Sequence, residues 1–149
     1  MHITTFSKVQ MNPLCPKQEE IRIEDIAHAQ SLMTRANGHF PEFYSVGQHS
    51  IACAREAIAR NYSSRVVLAC LLHDGSEAYL SDITRPVKGE LSEYRRIEKI
   101  CRTLFMFVFW DRYLPTKRCP RSRTLITPAY IMNLIIIWEK NSWNRLLFS

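Results

Sequence analysis

One stretch decides the fold, Ser64-Arg65-Val66-Val67-Leu68-Ala69-Cys70-Leu71-Leu72-His73-Asp74-Gly75-Ser76-Glu77. Its run from Val66 to Leu72 is apolar nearly all round, which predicts a buried central element. A helix is favoured over a buried parallel strand, because alanine and leucine continue the run and the pattern persists to Leu80. We therefore expect a helix that begins with a cap at Ser63 or Ser64 and ends near Leu80.

Helical spacing of apolar residues extends to both sides of this stretch. Upstream it predicts one helix from Ile23 to a stop at Asn37-Gly38, and a second from Ser45 to Arg60, with an aromatic loop between them. Downstream, Pro86 and Gly89 indicate a loop, after which a fourth helix opens at Leu91 and runs to about Lys99. Four helices without a strand predict an all-α fold.

A charged pair, His73-Asp74, ends the most apolar segment of the chain, where an unpaired buried carboxylate costs several kcal/mol. A divalent cation would account for the pair, since it binds imidazole together with carboxylate oxygen. On a continuous helix Glu77 shares their face and suits a general base. His49 can add a third ligand if the two helices pack antiparallel. The alternative is an ordinary ion-pair network in which Glu77 pairs with an arginine.

Three motifs follow one another within about residues 20–99. They are Ser45-Val46-Gly47-Gln48-His49-Ser50, Leu71-Leu72-His73-Asp74-Gly75-Ser76-Glu77-Ala78 and Ser81-Asp82-Ile83-Thr84-Arg85-Pro86-Val87-Lys88. Together they resemble the HD-domain phosphohydrolases, most closely the bacterial 5'-deoxynucleotidase-like branch. The resemblance implies an incomplete HD-type helical bundle over residues 1–99. It also implies one divalent metal ion, cobalt, manganese or similar, held by His49, His73 and Asp74.

The same resemblance implies roles for the residues around the ion. Glu77 would assist the attacking water, and Asp82 would lie near the water or the substrate. Arg35 matches an arginine that contacts the nucleotide phosphate, and Lys88 would hold phosphate oxygens. Each of these two cations has an ordinary alternative: Arg35 as a helix C-terminal arginine favoured by the dipole, Lys88 as a solvated loop lysine.

The implied activity is metal-dependent hydrolysis of nucleotide phosphate esters, with nucleoside 5'-monophosphates as the expected substrates. Another HD chemistry is the first alternative, namely a phosphodiesterase for cyclic nucleotides or a diphosphatase for (p)ppGpp. The second alternative is an inactive nucleic-acid-binding protein. Residues 1–100 carry twelve basic and twelve acidic residues, and residues 101–149 carry eight and two. The excess charge therefore lies in the tail, which has no interleaved recognition pattern, and nucleic acid is not the favoured partner.

The family's fourth ligand, an aspartate on a later helix, has no counterpart in this chain. Reading the codons of Thr124 to Leu134 from their third base permits Ile-Asp-Tyr-Ala-Cys-Leu-Tyr-Tyr-Glu-Phe, which resembles the missing helix. We therefore interpret residues 100–149 as an atypical basic tail, the out-of-frame translation of a normal C-terminal part. The hypothesis implies impaired activity and exposed apolar surface on the third helix.

The remaining sequence features concern location and isolated residues. No signal peptide is visible and no apolar run reaches the length of a membrane span, so we expect a soluble, cytoplasmic protein with reduced cysteines. A homodimer is one option for its assembly. Cys53 and Cys70 are interpreted as small core residues. His28 is expected to pack in the core, and His39 is a candidate to line the pocket.

Overall fold

The computed structural model describes residues 1–113, with side chains described as far as Phe109. Its described part is an all-α fold with one short antiparallel hairpin at the start, which confirms the predicted fold class. The hairpin strands are β1 (Ile3–Thr4) and β2 (Gln10–Met11). The helices are α1 (Ile23–Leu32), α2 (Val46–Ala59), α3 (Ser64–Leu72), α4 (Glu77–Leu80), α5 (Arg85–Glu90) and α6 (Ser92–Tyr113).

Helix α2 begins where the sequence predicted, directly after a capping residue, Ser45. The Ser45 hydroxyl accepts the Gln48 backbone N–H at 3.0 Å, and the Gln48 side chain accepts the Ser45 backbone N–H at 2.8 Å. This reciprocal pair satisfies two donors that the first turn of a helix leaves open. The helix ends before Asn61, which adopts a left-handed φ of 56° that asparagine tolerates.

The apolar run forms a helix, as predicted, but that helix ends at Leu72 instead of continuing to Leu80. Residues 73–76 form turns in which the Gly75 N–H bonds to Leu72 and the Glu77 N–H bonds to Asp74, three residues back. A Cβ on Gly75 would lie 3.0 Å from the Leu72 carbonyl oxygen, closer than most Cβ contacts, so this tightening favours a glycine. The prediction of one continuous helix from Ser64 to Leu80 was therefore wrong.

Two further boundaries differ from the expectations. Helix α1 ends at Leu32, so Arg35 lies beyond it in a tight turn whose next two residues have positive φ. The expected loop around Pro86 and Gly89 is helix α5, because a proline in the first turn of a helix loses no intrahelical hydrogen bond. The N-terminal hairpin was not predicted. Its turn is tied to α1 by the Asp25 carboxylate, which accepts two hydrogen bonds from Ser7, at 2.6 and 2.8 Å.

Helix α6 begins where the fourth helix was expected and continues through Tyr113 without a break at residue 100. Its later residues Cys101, Phe105, Val108 and Phe109 are buried in the core. The hypothesis of a shifted reading frame concerns the gene and stays a prediction. Residues 114–149, which carry most of the proposed tail, lie outside the described part of the chain.

The core lies between α1, α2, α3 and α6 and contains aliphatic side chains from each. Its largest fully buried members are Phe105, Phe109, Met11, Ile21, Ile26, Leu71, Val46 and Val108. Tyr79 packs against Phe105 with ring centroids 5.3 Å apart, which joins α4 to α6. Within residues 1–113, none of the helices is both long enough and apolar enough to cross a bilayer.

Candidate metal centre

The helical hairpin α2–α3 brings the two predicted histidine ligands together. His49 lies in the first turn of α2, and His73 directly follows the last turn of α3. Since a short link joins the two helices, the start of one and the end of the next lie at the same end of the pair. The imidazole centroids are 5.2 Å apart. The condition that the helices pack antiparallel is therefore met.

The Asp74 carboxylate oxygen Oδ2 lies between the two imidazoles. It is 3.0 Å from Nε2 of His73 and 3.8 Å from Nε2 of His49. This oxygen is buried, and no hydrogen bond of good geometry reaches it. The backbone at Asp74 is held in place by Gln30, a fully buried residue of α1 whose side-chain amide donates to the Asp74 carbonyl at 2.8 Å. The structure therefore brings all three predicted ligands together.

The tautomer of His73 follows from its other ring nitrogen. Nδ1 lies 2.7 Å from the carbonyl oxygen of Cys70. A carbonyl oxygen only accepts, so Nδ1 must carry the hydrogen, and in the neutral ring the lone pair is left on Nε2. That lone pair lies next to the Asp74 carboxylate oxygen. Two electron-rich atoms 3.0 Å apart need a proton or a cation between them.

A cluster of three carboxylates surrounds Arg35. Its Nη1 lies 3.0 Å from Asp82, 3.2 Å from Asp74 and 3.5 Å from Glu77. Arg35 is held by its backbone N–H, which bonds to the Tyr44 carbonyl at 2.8 Å. The ion-pair network that the sequence allowed as an alternative to a metal site therefore exists, and it adjoins the two histidines that were predicted as ligands.

Lys88 lies on the other side of Glu77. Its Nζ is 3.4 Å from Glu77 and 2.7 Å from Glu98 of α6. The alternative of a solvated loop lysine was wrong, because Lys88 belongs to helix α5 and its side chain is only 20 % exposed. Glu98 was not recognised from the sequence, since nothing in its local pattern distinguishes it from a surface acid.

The surroundings shift the pKa values of the central groups. Burial raises the pKa of the Glu77 carboxyl from 4.5 to about 7, and the neighbouring Asp74 and Asp82 charges add to the rise. The Asp74 carboxylate raises the pKa of the His73 imidazole. Burial and the Arg35 charge lower the pKa of His49. Burial alone would raise the pKa of Asp74, but His73 and Arg35 outweigh it and the pKa lies below its ordinary value.

A cavity of about 420 Å³ opens onto this cluster. It is lined by the predicted ligands and the predicted catalytic and phosphate-binding residues, and also by Ile83, Thr84 and Arg85. Arg85 is a further cation that was not singled out, although it lies in the third motif.

His39 is exposed and is not among the residues that line the cavity, so the prediction that it lines the pocket was wrong. His28 stacks on Phe6 at 3.9 Å and is half-buried, a packed histidine outside the site.

Cys53 was interpreted as a core residue, and this was wrong. It is only half-buried, and its Sγ lies 3.7 Å from Nε2 and 3.9 Å from Nδ1 of His49. Ligand atoms of His49, Cys53 and His73 all lie within 4.8 Å of one another, so this group could hold a metal ion. The spacing His-x-x-x-Cys, one helical turn, was the available signal. Burial raises the pKa of the Cys53 thiol.

Comparison with known proteins found similar curated sequences in two bacteria. The chain is 37 % identical over 82 residues to the uncharacterised protein YfdR of Escherichia coli, covering 55 % of this chain and 43 % of that protein. It is 37 % identical over 89 residues to an uncharacterised protein of Rhodobacter capsulatus, covering 56 % and 45 %. The chain thus spans less than half the length of the curated relatives it matches. No family model matches it.

Proposed function

We propose that this chain carries the metal site of a phosphohydrolase that acts on nucleotide phosphate esters. The supporting feature is a histidine pair and an aspartate at one end of a helical hairpin, facing a cavity that three cations and two further carboxylates also line. The cavity's volume, about 420 Å³, is within the range of sites for small molecules.

The single observation that carries the proposal is the environment of Asp74 Oδ2. This buried oxygen accepts no well-formed hydrogen bond, although Nη1 of Arg35 lies 3.2 Å from it and the Nε2 atoms of His73 and His49 lie 3.0 and 3.8 Å from it. A divalent ion bound by two imidazole nitrogens and one carboxylate oxygen would satisfy all three atoms at once. The Cys70 carbonyl fixes His73 in the tautomer that such binding requires. The residues present therefore fit a divalent transition metal such as cobalt or manganese.

When bound, a divalent ion supplies Lewis acidity toward a phosphoryl oxygen and acidifies water. The chain's own groups supply the rest. Glu77, with a pKa of about 7, can take a proton from water near neutral pH, and Arg35 and Lys88 hold its two oxygens from opposite sides. The same two cations would turn to phosphate oxygens when an ester enters the cavity, because a phosphate attracts the same donors. Asp82 keeps Arg35 directed into the cavity.

The test begins with metal content, because the chain lacks the family's fourth ligand and we expect weak activity. Protein stripped with a chelator is titrated with Mn²⁺ or Co²⁺, and bound ion is measured beside phosphate release. The substrate panel contains deoxynucleoside monophosphates, cyclic nucleotides and (p)ppGpp. We expect one ion per chain and phosphate release from the monophosphates. Cleavage of cyclic nucleotides or (p)ppGpp alone would assign the site to the other chemistry.

The matched variants are His73→Ala inside the site and His28→Ala outside it. We expect His73→Ala to lose the bound ion and at least about a hundredfold of the activity, and His28→Ala to keep both. Phosphate release that continues in His73→Ala, or that needs no metal, would overturn the proposal.

A further inference from the structure

We propose that Cys53, with His49 and His73, forms a thiolate site for Zn²⁺ that competes with Asp74 for the same two imidazoles. The site goes beyond the proposed function, since it holds an ion whether or not the chain hydrolyses phosphate esters. Only the expected inhibition of phosphate release rests on the proposed function. Because both ligand sets need the same two imidazoles, Zn²⁺ bound to the thiolate would withdraw them from Asp74 and inhibit the hydrolase.

The first argument is the position of Cys53 on α2. It follows His49 by four residues, so both side chains lie on the same helix face, one turn apart. His73 completes the group from the end of α3, and the three ligand atoms lie within 4.8 Å of one another. Helix α2 thus supplies two of the three ligands, and the residue directly after α3 supplies the third.

The second argument is the spacing of the ligand atoms. Zinc binds cysteine sulfur at about 2.3 Å and histidine nitrogen at about 2.0–2.1 Å, so a tetrahedral ion keeps the two about 3.6 Å apart. In the structure Cys53 Sγ lies 3.7 Å from Nε2 of His49 and 3.9 Å from Nδ1 of the same ring. An ordinary contact between a thiol and an imidazole would also give such a distance, so the experiment must distinguish a bound ion from a hydrogen bond.

The third argument is that the histidine pair separates two different surroundings. On one side, Asp74 faces the polar cavity with its arginines, lysine and further carboxylates. On the other side, Cys53 and His73 line a second recess of about 420 Å³ with Val66, Ala69 and Cys70, at whose rim Arg65 lies. Thiolate favours Zn²⁺, whereas a carboxylate beside water favours harder ions such as Mn²⁺. The two sides therefore select different ions.

Asp74 and Cys53, the two candidates for the third ligand, also differ in their other contacts. Asp74 is already engaged by Arg35 at 3.2 Å, which lowers its availability to an ion. The contacts of the Cys53 sulfur are with the two ring nitrogens of His49, and the Arg35 charge acts on it only from a distance. On binding, the Cys53 thiol releases its proton to solvent as the zinc–sulfur bond forms, and no oxidant or reductant is needed.

The experiment uses the full chain, loaded with Co²⁺ as a spectroscopic substitute for Zn²⁺. Cobalt bound to a thiolate has a strong charge-transfer absorption in the near ultraviolet, which nitrogen and oxygen ligands do not produce. The variants are Cys53→Ser, Asp74→Asn and, as a thiol control, Cys15→Ser, whose cysteine is exposed on the N-terminal segment. Circular dichroism checks that each variant keeps the helical content of the parent.

We expect the absorption in the parent chain, in Asp74→Asn and in Cys15→Ser, and its loss in Cys53→Ser. Cys53→Ser should weaken Zn²⁺ binding at least about tenfold and leave Mn²⁺ binding unchanged. A parent chain without the absorption at saturating Co²⁺, or a Cys53→Ser protein that keeps it, would overturn the inference. Absence of phosphate release in the presence of this absorption would instead count against the proposed function alone.

Discussion

Replacing Glu77 by glutamine should make the metal-free protein more stable at neutral pH while removing its activity. Glu77 is a buried carboxyl whose side chain is only 5 % exposed, and burial raises its pKa from 4.5 to about 7. Between these values the folded chain holds a proton that the unfolded chain has released. The stability of the folded state therefore falls as pH rises above 4.5, and it levels off above 7.

The size of the effect follows from the displacement of the pKa. A rise from 4.5 to about 7 corresponds to about 3 kcal/mol lost between the acid and the neutral limits. Glutamine keeps the shape of the protonated acid and does not titrate. We therefore expect Glu77→Gln to match the parent near pH 4.5 and to exceed its unfolding free energy by about 3 kcal/mol at pH 7.5. A bound divalent ion would shrink this difference, because its charge stabilises the carboxylate.

The assay is urea unfolding followed by circular dichroism, at intervals from pH 4.5 to 7.5 and with a chelator present. The titration of other groups largely cancels in the difference between variant and parent. Glu56→Gln is the matched control, since Glu56 pairs with Arg60 on the exposed surface of α2 and should show no gain over this range. A difference that does not grow between pH 4.5 and 7, or a Glu77→Gln protein less stable than the parent at pH 7.5, would refute the reasoning.

Three further substitutions test how the structure supports the site, each by the same urea unfolding. Phe105→Ala should lower the free energy of unfolding by about 3–5 kcal/mol, because Phe105 is fully buried. A change near zero would mean that α6 does not pack on the core. Gly75→Ala should lower the free energy of unfolding by about 1–3 kcal/mol, since its methyl group would crowd Leu72. Gly89→Ala should raise it slightly, because no atom lies near that position in helix α5. Equal effects of the two substitutions would contradict this reasoning. Gln30→Ala should lower the free energy of unfolding by about 1–3 kcal/mol and weaken Mn²⁺ binding, since the Gln30 amide holds the Asp74 carbonyl. Unchanged Mn²⁺ binding would show that the position of Asp74 does not depend on Gln30.

Local signals were reliable where one interaction decides the outcome. Apolar spacing predicted the start of α2 at Ser45, and the structure shows that a cap between Ser45 and Gln48, three residues apart in sequence, fixes this start. The apolar run predicted α3, but not its end at Leu72. That end depends on Gln30, forty-four residues upstream, which holds the Asp74 carbonyl, and on the close approach of Gly75 to Leu72.

The predicted metal ligands were within reach of the sequence, whereas their partners were not. The resemblance of three motifs implied His49, His73 and Asp74 as ligands, and the helical hairpin brings these residues together. Arg35 was expected to bind phosphate, yet its guanidinium contacts three carboxylates contributed by separate turns. Cys53 carries the same local apolar pattern as a core cysteine, and only the position of His49 beside it reveals another role.

The sequence by itself determined the helical class and the central apolar helix, because periodicity is a local property. Its three motifs singled out two histidines and an aspartate through their resemblance to a known family. Tertiary structure alone decided that Asp74 Oδ2 lies buried beside both imidazoles and Arg35 without a well-formed hydrogen bond. It alone decided that Glu77 is held between Arg35 and Lys88, and that Cys53 shares a recess with His73. The physical reason is that burial and electrostatic fields depend on groups far apart in the chain, whose distances are set only when the helices pack.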